Sequence, residues 1–198
     1  LQRLIPLVLV LIIVGLAIAA LVSLGRMIFS GGGSSPSKTP QVNIGKQALT
    51  NTDSGRSVRM TVRGPIVADE NYHTYTITIS PSNRIMTTYQ GYGSKPVDNE
   101  QLDNSTQSYE QFVYALSRAN LMEGTPLSGD ANNTRGICAT GYLYEFEVLQ
   151  GDNGVQKLWT STCTGSLGSL KANLGQVGSL FRQQIPDSTK LATKVNLY

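Results

Sequence analysis

The chain has 198 residues, a net charge of +3 and only 15% charged side chains, with no run of lysines or arginines. That balance gives no electrostatic footprint for nucleic-acid binding, and the abundance of Ser, Thr, Asn, Gln and Gly suits a surface facing the outside. One span, one tether and one domain of ordinary size account for the length.

From Leu4 to Leu24 the chain carries no charge, and only Pro6, Gly15 and Ser23 interrupt its apolar character. At about 1.5 Å per residue this run crosses a hydrocarbon core of roughly 30 Å, so residues 1–29 are expected to form a transmembrane helix in the lipid bilayer. Arg3 and Arg26 bracket it at the polar boundaries. Ala17-Ile18-Ala19 offers a signal-peptidase pattern, but the run continues beyond it and is longer than a normal signal core, which favours an uncleaved anchor. Gly15, Ala19 and Ser23 fall every four residues on one stripe, where another copy of the chain or a different membrane protein could approach closely.

Residues 30–40 are rich in Gly, Ser and Pro and cannot bury a core, so they read as a tether. The domain is expected over 41–198. Its first stretch, 41–56, should be irregular with at most one short strand, docking through Val42, Ile44 and Leu49.

Ser57–Gly64 alternates, with Val58, Met60 and Val62 on one face and Arg59 and Arg63 on the other, the period of a half-buried strand. Asn71–Ser80 and Arg84–Gln90 continue an antiparallel meander across the Pro81-Ser82-Asn83 turn. A polar loop containing Gly91, Gly93 and Pro96 follows. Ser108–Met122 shifts to helical spacing through Tyr109, Phe112, Val113, Leu116 and Ala119, with Ser108 and Gln111 as a capping box or a start as early as Ser105.

Ile137–Gln150 and Val155–Cys163 flank Gly151-Asp152-Asn153-Gly154, a hairpin signal. Tyr142, Tyr144, Phe146 and Val148 are assigned to the core, and Glu145 and Glu147 to solvent. A last helix is expected from Leu167 to Ile185, buried through Leu167, Leu170, Leu174, Val177 and Phe181. Its opposite side, Gly168, Ala172, Gly175 and Ser179, forms a candidate interaction stripe. Residues 187–198 are expected to be loose or a short edge strand. Strands, helix, hairpin and helix without a βαβ rhythm define an α+β class: an N-terminal transmembrane helix followed by an antiparallel sheet with two packed helices.

Cys138 and Cys163 bracket the hairpin and, in an anchored chain, are expected to form a disulfide rather than half of a metal site. The pair places the domain outside the membrane, because the Lys and Arg distribution does not set an orientation. No phosphate loop, dinucleotide fingerprint or nucleophile elbow is present, and neither cofactor, metal nor small-molecule substrate is implied. His73, Glu145 and Glu147 are the candidates for chemistry, with the adjacent acids Asp69 and Glu70 read as solvation. An enzyme would bring two or more of those three into one concave pocket.

Two resemblances add to this reading. Leu-Gln-Arg-Leu-Ile-Pro at the start, Arg63-Gly64-Pro65-Ile66-Val67-Ala68-Asp69-Glu70-Asn71 and Tyr109-Glu110-Gln111-Phe112-Val113-Tyr114-Ala115-Leu116 resemble uncharacterised single-pass proteins of Saccharibacteria-type bacteria, which implies a surface-facing domain and no activity. An apolar helix followed by an α+β domain with a late disulfide also resembles type IV pilin-like subunits. Pilins carry a glutamate at mature position five, where this chain has Ile5, and their helix runs on where this chain has Gly31-Gly32-Gly33. The expected role is therefore a membrane-anchored structural or interaction module of a surface assembly, with a filament subunit or an envelope enzyme as the alternatives.

Overall fold

A computed structural model describes residues 43–166 and 168–197. The expected membrane helix, its Gly15, Ala19 and Ser23 stripe and the tether lie outside the described residues; among those described, no helix is long and apolar enough to cross a membrane. The domain is α+β: one six-stranded antiparallel sheet with four helices.

The strands are β1 (Arg56–Arg63), β2 (His73–Ile79), β3 (Asn83–Gln90), β4 (Lys95–Asp103), β5 (Leu143–Gln150) and β6 (Asn153–Ser161), in the order β4-β3-β2-β1-β5-β6. The meander and the hairpin are thus joined through β1 and β5, where Met60 faces Phe146 and Val58 faces Val148. On one face of the sheet Val58, Met60, Tyr75, Ile77, Ile79, Met86, Phe146 and Leu158 are buried. This is the face that period-two alternation assigns to the core.

Helices α1 (Ile44–Thr50), α2 (Thr106–Arg118), α3 (Leu174–Arg182) and α4 (Ser188–Lys194) supply the other half of that core. Phe112 of α2 meets Phe181 of α3 edge-on with ring centroids 5.3 Å apart, and Phe181 also lies 5.8 Å from Phe146. Burial of Tyr75 in this layer pushes its hydroxyl up to about 12, with Arg182 partly offsetting the desolvation.

Several sequence expectations are corrected. The stretch after 43 is helical because the Asn43 side chain accepts from Lys46 N at 2.9 Å and ties back to the Met122 carbonyl; Ala48 and Leu49 dock, while Ile44 is 66% exposed. Of the two starts expected for α2 the earlier one holds: Ser105 is the cap, accepting from Ser108 N at 3.2 Å, so Ser108 lies within the first turn. The predicted Gly- and Pro-containing loop holds an edge strand, β4, whose Lys95, Pro96, Asp98 and Glu100 suit an unpaired border better than a strand centre.

The last predicted helix is shorter than its periodicity suggests. Gly168 has φ +61°, and Ser169 N and Leu170 N both donate to the Trp159 carbonyl at 2.9 Å. Residues 168–170 therefore strap the β6 edge, and helix α3 begins only after Asn173 caps Gln176 N. Gly168 and Ala172 are outside the helix, so the Gly168, Ala172, Gly175 and Ser179 stripe does not exist as one helical face. The chain end folds as α4, burying Leu191 and Ala192, rather than staying loose.

Candidate functional site

Alternation puts charge and hydroxyls on the sheet face opposite the helices. Arg59, Thr61 and Arg63 of β1 stand beside Thr74 and Thr76 of β2 on one side and Glu145 and Glu147 of β5 on the other. Three loops at one end of the sheet enclose this floor into an open basin of about 880 Å³.

The acids are placed by strand register. Arg59 sits directly opposite Glu147, and its Nε and Nη2 donate to Oε2 at 2.9 and 2.7 Å. Glu145 is served by its diagonal neighbours, Arg63 Nη2 at 2.7 Å and Lys157 Nζ at 3.4 Å. Directly opposite and diagonal positions are the two within reach on one sheet face. The Thr134 hydroxyl adds a donation to Glu145 Oε1 at 2.8 Å.

Glu145 is thus 4% exposed. That corrects the expectation of a solvated glutamate: the open face acquires a wall, and two cations and a hydroxyl supply what water would have supplied. Glu147 remains half-buried at the basin surface. His73 lies elsewhere, in a smaller recess with Tyr142 and the end of the chain near Leu197. Two of the three candidate groups for chemistry converge and the third does not.

The wall consists of residues 133–141 and is held from two sides. Cys138 and Cys163 form the expected disulfide, with Cα atoms 5.2 Å apart, and Ala139 O accepts from Ile66 N at 2.9 Å. Gly141 is required where the wall turns into β5, since a Cβ there would sit 2.9 Å from Cys138 Sγ. This arrangement carries Thr134 over Glu145 and leaves Arg135 exposed at the rim. The adjacent acids Asp69 and Glu70 serve the opposite rim: Asp69 Oδ1 accepts from Tyr92 N at 2.7 Å, and the Glu70 carbonyl accepts from Gln90.

That rim is aromatic. Tyr92 stacks on Tyr72 with ring centroids 4.0 Å apart, its hydroxyl donates to Val67 O, and it remains 51% exposed. Burial raises the Tyr72 hydroxyl above its ordinary value, with neighbouring Arg63 partly opposing the shift. Ile66 and Val67 are exposed beside it.

Among the described residues no cluster of His, Cys, Asp and Glu could hold a metal ion. The basin offers guanidinium, ammonium, hydroxyl and carboxylate groups around an aromatic edge, which can recognise a polar ligand by hydrogen bonding. Sequence reasoning found the alternating faces but treated the polar one as plain surface. The available signal was the alternation of Arg59, Thr61 and Arg63 on one face of β1, with the two arginines four apart, against Glu145 and Glu147, two apart on the same face of β5. No protein-family model matches the chain, and a search of curated proteins finds no match.

Proposed function

We propose that this chain is a membrane-anchored extracytoplasmic interaction module, a subunit of a cell-surface assembly or attachment apparatus. The observation that carries it is the basin: a walled polar sheet face, stabilised by a disulfide, with its acids engaged by bases. Ion pairs engage both Glu145 and Glu147 and hold the charged groups of the basin in fixed orientations suited to recognition. The apolar run from Leu4 to Leu24 supports the anchor, and the disulfide supports an oxidising compartment.

Intact cells treated with protease test both parts. The reading expects the domain to be digested from outside while the apolar segment stays in the membrane fraction after alkaline extraction; a protected domain, or release of the whole chain by alkali, refutes it. The convergence of Glu145 and Glu147 favours an envelope enzyme as the second reading. That reading expects turnover of a polar substrate that vanishes in Glu147→Gln, whereas the interaction module expects binding without turnover.

A further inference from the structure

We infer that the basin binds a carboxylated oligosaccharide, an inference that rests on the reading of the domain as an interaction module and names its ligand. The first argument is charge. Arg59, Arg63, Arg135 and Lys157 line the basin together with Glu145 and Glu147, so the lining itself carries two more cationic than anionic side chains, while the rim acids Asp69 and Glu70 stand outside that lining, with Asp69 Oδ1 engaged by Tyr92 N. Arg135 forms no ion pair among the described residues and is exposed at the rim, where a ligand carboxylate can take a bidentate guanidinium contact.

The second argument is the acceptor left over. Both bonds from Arg59 fall on Glu147 Oε2, so Oε1 of the same carboxylate is available to a ligand hydroxyl. A fully anionic ligand would be repelled there, and a polyhydroxylated one would be held. Thr61, Thr74 and Thr76 on the floor add hydroxyl groups that can both donate and accept.

The third argument is shape. Tyr92 presents a half-exposed ring whose other face is fixed against Tyr72, giving a flat rigid platform at the edge of a polar site. The apolar face of a pyranose ring fits such a platform while its hydroxyls reach the floor. A peptide strand fits less well, because the basin lies on a sheet face whose backbone groups are already paired with neighbouring strands and offers no edge for strand addition. The volume of about 880 Å³ lies within the range of ligand sites and exceeds what a single inorganic anion fills.

The test uses the full chain in detergent micelles and calorimetric titration with four probes: an oligogalacturonate, a glycan fragment bearing a lactyl-ether carboxylate, a neutral cello-oligosaccharide and an oligoglutamate peptide. Binding of either carboxylated sugar is expected, distinguishing a uronic acid from a lactyl-ether source, with affinity falling about tenfold in Arg135→Glu and again in Tyr92→Ala. Both substitutions are at exposed side chains, and unchanged circular dichroism and melting will show that the domain remains folded. The inference is overturned if neither carboxylated sugar binds, if the neutral sugar or the peptide binds as tightly, or if both variants bind like the parent. Binding of the variants and parent to isolated cell envelopes separates the two levels: envelope binding lost in the variants without sugar binding defeats the saccharide alone, whereas envelope binding untouched by either variant defeats the basin as the interaction site.

Discussion

Replacing Glu145 by glutamine keeps the side-chain volume and an oxygen for the Thr134 hydroxyl but removes the charge shared by Arg63 and Lys157. The size of the effect follows from unequal burial: the Glu145 side chain is 5% exposed, while those of Arg63 and Lys157 are 38% and 25% exposed. Exposed ion pairs contribute roughly 0–1 kcal/mol, and removing one partner of a fully buried pair costs roughly 3–5 kcal/mol. With the acid buried and both bases in contact with water, the expected loss is about 2 kcal/mol. For an unfolding slope of about 2 kcal/mol/M that lowers the urea midpoint by about 1 M.

Trp159 is the natural reporter, since it is the single tryptophan in the chain, is buried, and is paired in register with Glu145. Its fluorescence should follow the transition in urea. Arg63→Met and the double variant complete a thermodynamic cycle, with an expected coupling of about 1 kcal/mol between the two residues. A Glu145→Gln midpoint within experimental error of the parent, or strictly additive losses, would refute the account of a buried carboxylate sustained by these bases.

Phe181 is fully buried against Phe112 and Phe146, so Phe181→Ala should cost roughly 3–5 kcal/mol and lower the melting temperature; an unchanged melt would remove it from the core. Gly168→Ala should destabilise more than Gly129→Ala, although both positions have positive φ, because only the Gly168 Cβ would strike backbone, with Thr160 Cα at 2.9 Å; similar urea midpoints would contradict the strap. Replacing both cysteines by serine should lower stability by roughly 3 kcal/mol and, in a ligand titration, weaken binding through loss of the wall. Tyr75 keeps its proton to about 12 in the folded domain, whereas an unfolded tyrosine releases it near pH 10. Its contribution is therefore complete below about pH 10 and is lost as pH rises towards 12, at roughly 1.4 kcal/mol per unit. Spectroscopic titration of tyrosinate alongside unfolding should show that window, and full ionisation before unfolding would contradict the burial.

The fold was legible wherever one local rule acted alone. Val58, Met60 and Val62 against Arg59 and Arg63 require only that successive side chains point to opposite faces, and Tyr109, Phe112, Val113 and Leu116 require only the helical period. It was misread where two local rules competed. Leu170, Leu174, Val177 and Phe181 share a helical spacing, yet Gly168 and the free carbonyl of Trp159 draw 168–170 into a strap before the Asn173 cap starts the helix. Likewise β4 has little strand propensity of its own and forms because β3 offers it a ladder.

The sequence by itself determined the apolar opening run, the cysteine pair, the α+β class and the two faces of β1 and β5, because each follows from composition or from short-range periodicity. Only the tertiary structure decided that the polar face is a basin and that Glu145 is buried in it. Those features depend on Arg63, Thr134, Glu145 and Lys157 arriving from four separate places in the chain, and no local pattern records which distant segments will exclude water from a carboxylate.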